Sequence, residues 1–369
     1  MRTQRRALIA GAAGAAVVAL LAGCASGSAP AKEVDLGSGP PVAGEVKEGA
    51  LEGITLSFVS WGGGYQDVQM ETVGEPFAEA SGAKVLSDGP TEYAKLEAQV
   101  KTGQVTWDVV DVDASWVEPN CGTNLMKLDF DIIDTSELPE GTWGDCSVPA
   151  NMFGNVFAYN EDQLDETPTS WVDFFDVEKY PGKRAINQDY DTGVFEGALL
   201  ADGVAPEDLY PLDIERAVAK LNTIRDHIIF WSSGAQAQQL LETGEAAMGI
   251  VWTSRARGAA EAGAPIGVVW NQAFQTYESL AVPTGVKNPD AAMAFINYYI
   301  GAEQQTAFAE GNGSGPVNVN ADPQFEGISG DFQITNPEIA DQTILIDNDY
   351  WGEHLDELTE AYRAWVQGS

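Results

Sequence analysis

The strongest constraint on the fold is a regular alternation of strand and helix patterns between residues 54 and 112. Residues 54–60 alternate apolar and polar side chains, as a half-buried strand does, and Gly62-Gly63-Gly64 ends that pattern. The patterns that follow are, in order, helix 66–80, strand 83–86, helix 93–101 and strand 107–112. Strands that alternate with helices predict βαβ units around a parallel sheet.

The same alternation returns in the second part of the chain. The expected strands are 156–159, 246–252, 267–270 and 280–282, and the expected helices are 213–228, 236–242, 289–300 and a segment from Asp347 onward. No internal repeat of fixed period is present. A chain of 369 residues is long for one domain. The fold class predicted is therefore α/β with more than one domain.

An excess of acidic side chains sets the charge of the whole chain. There are 56 Asp and Glu against 19 Lys and Arg, for a net charge of −37. Nucleic-acid binding needs basic side chains that displace counterions from phosphates, and an anionic membrane surface repels such a chain, so we expect neither partner. Two interpretations of the acidity stay open: a solvated surface, as in salt-tolerant organisms, or a field that steers a cationic ligand.

The N-terminus has the pattern of an export signal. Three arginines precede an uncharged apolar stretch, 7–22, that is short for a membrane span. It ends in Leu-Ala-Gly-Cys24, which resembles the lipobox of bacterial lipoproteins, so we expect removal of residues 1–23 and lipidation of Cys24. The alternative is an ordinary secretory signal. Residues 24–50, rich in Gly, Ser, Ala and Pro, predict a flexible tether, and we expect an extracytoplasmic protein held at the membrane by its lipid alone.

Cys121 and Cys146 are the remaining cysteines. Outside the cytoplasm such a pair usually forms a disulfide, which is the pairing we expect. Two free thiols are the alternative. A metal site is disfavoured because neither histidine, His227 or His354, lies near either cysteine in the sequence.

Catalytic signatures are missing from the sequence. It contains no H-E-x-x-H, no G-x-S-x-G and no P-loop, and two isolated histidines offer no well-placed base for a triad. Carboxylates are so frequent in this composition that their presence does not indicate acid–base catalysis. We therefore expect no enzyme, no cofactor and no metal, and an exported α/β protein without catalytic groups suggests a binding protein.

Motifs in a fixed order over most of the chain carry a family resemblance. They are Ser60-Trp-Gly-Gly-Gly-Tyr65, Trp107-Asp-Val-Val-Asp-Val-Asp113, Ala158-Tyr-Asn160, Trp171-Val-Asp-Phe-Phe175, Tyr180-Pro-Gly-Lys-Arg184, Ala198-Leu-Leu-Ala-Asp-Gly203, Leu209-Tyr-Pro-Leu-Asp-Ile-Glu-Arg216, Gly244-Glu-Ala-Ala-Met-Gly249 with Trp252, Val282-Pro-Thr-Gly-Val-Lys-Asn-Pro289 and Gly315-Pro316. In these motifs the chain resembles the substrate-binding lipoproteins of bacterial ABC importers, in particular the spermidine/putrescine-binding branch.

The resemblance implies the type II periplasmic-binding fold, in which two α/β lobes face each other across a ligand cleft and close about a hinge. Lobe one is expected to comprise residues 51–158 and 283–330, and lobe two residues 159–282. Residues 331–369 are expected to form helices that pack on lobe two. The resemblance also implies that the protein delivers its solute to an ABC permease. We expect a monomer.

Several residues of these motifs are expected to face the ligand, because ligands bind outside the carboxyl ends of parallel strands. Trp61, Gly63 and Tyr65 follow the first strand, where glycine lets the backbone approach a ligand and the rings offer stacking faces. A plain strand-ending turn is the alternative. Asp113 and Ser115 match family positions whose polar groups contact ligand, and a helix cap is the alternative there.

Further site residues are implied for the second lobe and its edge. In polyamine binders the tryptophan that matches Trp252 stacks on the methylene chain, and a carboxylate at the position of Glu278 pairs with an amine. A core tryptophan and a solvated strand-end acid are the respective alternatives. Polyamine binders have further carboxylates after the strand that here begins near Arg184, and those positions fall on Tyr190 and Gly193 in this sequence, with Asp191 directly after Tyr190. Trp231 is a candidate for the cleft wall.

The leading hypothesis is capture of a polyamine such as spermidine or putrescine, or of another small amine, by carboxylates and aromatic faces. A neutral or zwitterionic solute, such as a sugar, an amino acid or a choline-like compound, is the alternative in the same class. A ligand carboxylate would then meet Arg255 or Arg257. A secreted hydrolase, recognisable by turnover of generic substrates, and an adhesive surface protein without saturable small-molecule binding are the alternatives from other classes.

Overall fold

Nine strands form one continuous sheet in the computed structural model, which describes residues 34–325 and 327–368. The strands are β1 (Thr55–Val59), β2 (Lys84–Asp88), β3 (Val109–Asp113), β4 (Ser147–Asn160), β5 (Arg184–Asn187), β6 (Ile228–Trp231), β7 (Met248–Trp252), β8 (Ile266–Ala281) and β9 (Ile344–Leu345). Their order in the sheet is β2-β1-β3-β8-β4-β7-β5-β6, and β9 pairs with β8. The expected signal peptide and the lipobox cysteine lie outside the described residues.

Helices cover the sheet. They are α1 (Gly63–Gln69), α2 (Glu75–Ser81), α3 (Tyr93–Thr102), α4 (Ala114–Asn120), α5 (Trp171–Phe175), α6 (Val194–Ala201), α7 (Ile214–Asn222), α8 (Gly234–Glu242), α9 (Thr253–Glu261), α10 (Pro289–Tyr299), α11 (Ala302–Asn312), α12 (Pro337–Ala340), α13 (Asn348–Glu353) and α14 (Leu355–Gln367). A π-helical segment, Met70–Gly74, joins α1 to α2. Over the described ranges, none of the helices has the length and apolar character that crossing a membrane requires.

Two parallel half-sheets lie at opposite ends of the sheet. β1 pairs in parallel with β2 and β3, and these three strands are called the N-terminal half-sheet. β5 pairs in parallel with β6 and β7, and these are called the C-terminal half-sheet. The helical crossovers that parallel neighbours require are present in both, as the alternation in the sequence predicts.

The long strands β4 and β8 connect the two half-sheets. Ser147 of β4 pairs with Ala281 of β8, which also pairs with Val110 of β3. At the other end of β4, Tyr159 pairs with Met248 of β7. The chain therefore passes between the half-sheets within β4 and again within β8. The lobe limits expected from the sequence lie at the carboxyl ends of these two strands.

Several elements differ from those expected, and β4 begins at Ser147 instead of near Val156. The sequence predicts separate strands at 267–270 and 280–282, whereas β8 is one continuous strand whose polar middle residues pair with β4. The helix expected over 213–228 ends at Asn222, and Ile228 begins β6. A strand of four residues is too short to show a period of its own.

Residues 34–50 contain no helix or strand, as their composition predicts, but they pack on the N-terminal half-sheet side of the molecule. The Asn297 amide of α10 donates hydrogen bonds to the carbonyls of Val42 (2.8 Å) and Glu45 (3.1 Å). The Gly44 N–H donates to the Asn297 carbonyl (2.9 Å). Residues 34–50 are thus part of the folded body and not of a free tether.

The expected disulfide between Cys121 and Cys146 is confirmed, with a Cα–Cα distance of 5.6 Å. Cys121 follows α4 and Cys146 precedes β4, so the bond holds the end of α4 against the start of β4. α4 directly follows the carboxyl end of β3, whereas the start of β4 lies beside Ala281 of β8, which pairs with Val110 near the amino end of β3. The disulfide therefore links α4, which begins next to Asp113, to the strand that pairs with β8.

Candidate functional site

Acidic side chains converge where the carboxyl end of β3 meets β8. Asp113 and Glu278 are directly paired across these antiparallel strands, and Asn151 of β4 pairs with Glu278 from the other side. Asp111 lies two residues before Asp113 and therefore on the same face of the strand. Three carboxylates and one amide thus form a single patch.

Asp111 is the most enclosed of these acids, with no exposed surface. Its Oδ2 accepts hydrogen bonds from Ser60 Oγ (3.0 Å), Tyr65 Oη (3.1 Å) and Gln69 Nε2 (2.8 Å). Its Oδ1 is buried and has no hydrogen-bond partner among the described residues. Burial raises the pKa of Asp111 to about 7, because loss of hydration outweighs the three donors and the charge of Asp113 adds to it.

Glu278 and Asp113 have fewer donors. Tyr93 Oη donates to Asp113 Oδ2 at 2.5 Å. The Trp61 indole N–H faces Glu278 without completing a hydrogen bond of good geometry, and Glu278 Oε2 is buried without a partner in the described part of the chain. Burial, followed by the charges of Asp113 and Asp111, raises the pKa of Glu278 well above its ordinary value. Burial also raises the pKa of Asp113.

A fourth carboxylate reaches the patch from the C-terminal half-sheet. Asp191 lies between β5 and α6, and it accepts hydrogen bonds from Asn155 Nδ2 (2.9 Å) and Asn187 Nδ2 (3.2 Å). Burial, together with the charge of Asp113, raises the pKa of Asp191 to about 7. Because Asp113 belongs to the N-terminal half-sheet, the carboxylates of the two half-sheets interact across the boundary between them, and this boundary is called the cleft.

Aromatic rings border the cleft on both sides. On the N-terminal side, Trp61 packs edge-on against Tyr93, which stacks on Trp116 with ring centroids 4.5 Å apart. On the C-terminal side, Trp252 meets Trp231 edge-on at 5.3 Å. Trp252 is partly exposed, and its indole lies close enough to Asp191 to lower the pKa of that carboxyl. Trp231 is only 1% exposed and lies in the core beneath Trp252.

The glycine-rich loop and the start of α4 complete the rim. Gly62 and Gly63 adopt φ values of 77° and 60°, which favour glycine, and a Cβ on Gly63 would meet no atom within 4 Å. The loop is therefore glycine-rich for its backbone conformation and not for lack of space. Ser115 is buried at the first turn of α4, with its hydroxyl next to that of Tyr190 from the opposite half-sheet.

Most of the residues named from the sequence meet in this cleft. They are Trp61, Tyr65, Asp113, Ser115, Asp191, Trp252 and Glu278. Gly63 stands on the exposed loop beside Trp61. Asp111 and Tyr93 were not expected from the sequence, and neither were the amides Asn151 and Asn155. A signal for Asp111 was available, because period-two spacing places it on the same face as Asp113.

No Lys or Arg in the described ranges forms an ion pair with any of the four carboxylates. Arg255 of α9 lies three residues after Trp252, against Gly234, and its Nε is buried without a hydrogen-bond partner within the described residues. Arg257 instead donates to the Asn312 carbonyl at the end of α11 (2.6 Å). An acidic cleft with aromatic walls and no internal counter-charge suits an organic cation.

Residues 72–339 match the family described as bacterial extracellular solute-binding proteins. The chain belongs to this family. This solute-binding protein is accordingly the substrate-binding component of an ABC transporter, acts outside the cytoplasm and is not an enzyme. Its neighbours among solved structures share the type II periplasmic-binding fold, so the fold class expected from the sequence is confirmed.

Three relatives indicate the kinds of solute that related proteins bind. The γ-aminobutyric acid-binding protein of Pseudomonas aeruginosa is 31% identical over 85% of this chain and 91% of its own length. The spermidine/putrescine-binding periplasmic protein of Escherichia coli is 26% identical over 79% and 86%, respectively. The structure of the Atu4243-GABA receptor is 41% identical, covers 85% of this chain and 97% of its own, and superposes with a TM-score of 0.76. All three match this solute-binding protein over most of its length.

Proposed function

We propose that the protein captures a small solute carrying a primary ammonium group and delivers it to an ABC permease. The observation that carries this proposal is the pair of buried, unpartnered oxygens, Asp111 Oδ1 and Glu278 Oε2, in a patch of four carboxylates. An ammonium group offers three donors and the positive charge that this patch lacks. The Trp61 and Trp252 rings add faces on which the cation or its methylene chain can lie.

The other end of the solute distinguishes two candidates. Both γ-aminobutyrate and putrescine carry an ammonium group, and proteins named for such solutes are relatives of this one. A second ammonium, as in putrescine, would pair with Asp191. A carboxylate, as in γ-aminobutyrate, would need a cation, and Arg255 is the nearest in sequence to Trp252 without an acidic partner in the described part of the chain.

A set of matched solutes tests the proposal. Thermal unfolding of the protein is followed with γ-aminobutyrate, putrescine, spermidine, 4-hydroxybutyrate and glucose, because a ligand specific to the native state raises the melting temperature. We expect a rise with at least one ammonium compound and none with 4-hydroxybutyrate, in which a hydroxyl replaces the ammonium. Stabilisation by neutral sugars alone would refute the proposal. A response to putrescine but not γ-aminobutyrate would identify the polyamine class.

We also propose that Cys24 carries a lipid anchor, on the strength of the lipobox that follows the apolar stretch of the sequence. Replacement of Cys24 by Ala removes the site of lipidation. The Cys24→Ala protein is then expected in the soluble extracellular fraction or as an unprocessed precursor. Unchanged membrane attachment of that variant, measured by fractionation, contradicts the anchor.

A further inference from the structure

The four carboxylates share one patch without a paired cation. Asp111 and Asp113 come from β3, Glu278 from β8 and Asp191 from the loop after β5. Asp113 and Glu278 are direct cross-strand partners, and Asp111 Oδ1 and Glu278 Oε2 are buried and unpartnered within the described residues. Like charges this close disfavour simultaneous ionisation. Some neutralising charge must therefore enter the patch.

The groups that face the patch are neutral or acidic on every element packed against it. They are Ser60 after β1, Tyr65 and Gln69 on α1, Tyr93 on α3, Ser115 on α4, Tyr299 on α10, Tyr362 on α14, Asn151 and Asn155 on β4, Asn187 on β5, Tyr190 before α6, Trp61 after β1, and Trp252 on β7. No Lys or Arg of the described ranges pairs with the four acids. Only protons or a bound cation can then neutralise them.

We propose that protons and the ammonium group of the solute compete for these four carboxylates, so that each solute molecule bound displaces at least one proton. The inference rests on the proposed capture of an ammonium solute. One positive charge enters the patch and one proton leaves for solvent, so charge is balanced and no covalent bond of the solute changes.

The pKa directions agree with this exchange. Burial raises the pKa of Asp111 and of Asp191 to about 7, and burial with the neighbouring charges raises the pKa of Glu278 well above its ordinary value. Protonated carboxyls are therefore populated near neutral pH, and binding is expected to weaken as the pH falls. The affinity should fall about tenfold per pH unit for each proton displaced.

Isothermal calorimetry in buffers of different ionisation enthalpy counts the protons exchanged. The probes are γ-aminobutyrate and putrescine, titrated into the full folded protein at several pH values. We expect a release of at least one proton near neutral pH, and a smaller release from Asp113→Asn. Glu196→Gln is the matched control, because Glu196 is also fully buried with a raised pKa but lies outside the patch; its count should equal that of the wild type. A count of zero for the wild type overturns the proposal.

A measurement without solute separates this proposal from the proposed function. The folded protein holds protons that an unfolded carboxyl has lost above about pH 4, so stability conferred by these protons falls as the pH rises from about 4 to the folded pKa near 7. We expect the melting temperature of the wild type to decline more steeply over this range than those of Asp111→Asn and Asp191→Asn. Equal slopes of melting temperature against pH in the wild type and the two variants would show that these carboxylates take up no protons on folding, and would overturn the competition even if a solute binds. Different slopes without binding of any ammonium compound overturn the proposed function and with it the competition.

Discussion

Asp111 fixes the positions of the side chains around it. A single carboxylate oxygen receives hydrogen bonds from the residue after β1 and from two positions of α1. Those two, Tyr65 and Gln69, are four residues apart and therefore lie on one face of the helix. Gln69 also donates to Tyr299 Oη at 2.9 Å. This buried acid thus determines which face of α1 adjoins the cleft.

The charge of Glu278 is expected to contribute most to solute binding. Glu278→Gln retains the size of the side chain and most of its hydrogen bonding but removes the charge. If the solute ammonium is desolvated against Glu278, the substitution weakens binding by roughly 2–5 kcal/mol, as for a broken buried charge pair. Calorimetry with γ-aminobutyrate and putrescine, at low and at high salt, measures the loss.

Glu97→Gln is the control for this substitution, because Glu97 is an exposed acid on α3. It changes the net charge equally and should leave the affinity unchanged. A loss at Glu278→Gln of under about 1 kcal/mol that disappears at high salt would instead show an exposed rim charge.

At the scale of elements, the sequence predicted those strands and helices in which apolar residues recur with a regular period. The strands of the N-terminal half-sheet and β7 of the C-terminal half-sheet were expected because apolar residues recur along them with the period of a strand. β6 was not expected, because a strand of four residues is too short to show that period. β8 was expected as two strands, because its middle residues, including Gln275 and Glu278, are polar. They are polar because they adjoin the cleft and the other half-sheet. Asp111 was missed for the converse reason, since it lies inside an otherwise apolar strand.

The end of α11 allows a test of a contact between the N-terminal half-sheet side and the C-terminal half-sheet side of the molecule. Gly313 follows α11 with φ 72°, and a Cβ there would lie 0.9 Å from Arg257 Nη1. Gly313→Ala therefore displaces the guanidinium that donates to the Asn312 carbonyl. The loss of unfolding free energy is expected to combine left-handed backbone strain of about 1–2 kcal/mol with a lost charged hydrogen bond of about 1.5–3 kcal/mol.

Gly103→Ala is the matched control for Gly313→Ala. Gly103 follows α3 with φ 66°, and a Cβ there would meet no atom within 4 Å. We expect this variant to show only the backbone strain in urea unfolding. Equal losses of unfolding free energy in the two variants would mean that the Arg257 contact contributes nothing.

The disulfide gives a second test at this scale. Cys121 and Cys146 are 25 residues apart. Their replacement by Ala together is expected to reduce the free energy of unfolding by about 3–4 kcal/mol in the loop-entropy model. Urea unfolding of the oxidised wild type and of the double variant measures the difference, and the reduced wild type should resemble the variant. If the double variant and the reduced wild type were both as stable as the oxidised wild type, the prediction would be wrong.

At the scale of the whole molecule, a third segment joins the two sides in addition to β4 and β8. Trp351 of α13 donates its indole N–H to Glu196 Oε1 of α6 at 2.7 Å, which attaches α13 to the C-terminal half-sheet side. The next residue, Gly352, is so close to α4 on the opposite side that a Cβ would lie 2.8 Å from the Ser115 carbonyl. The C-terminal region therefore contacts both sides near the cleft.

These connections predict that the molecule unfolds as one unit. β4 and β8 contribute to both half-sheets, so neither half-sheet retains its complete set of partners without the other. We expect a single transition that coincides in near- and far-ultraviolet circular dichroism. A bound solute at about a hundred times its Kd should move the whole transition by about 2.7 kcal/mol. Two separate transitions, of which solute shifts only one, would contradict this prediction.

The docking of residues 34–50 has a mechanical consequence. These residues are held by Asn297 of α10, on the same side of the molecule as the N-terminal half-sheet, and not by β4 or β8. Tension applied to the chain upstream of residue 34 is therefore borne by α10 and its hydrogen bonds to Val42 and Glu45. Residues 34–50 are therefore expected to move with the N-terminal half-sheet, and not with the C-terminal half-sheet, in any displacement of one half-sheet relative to the other.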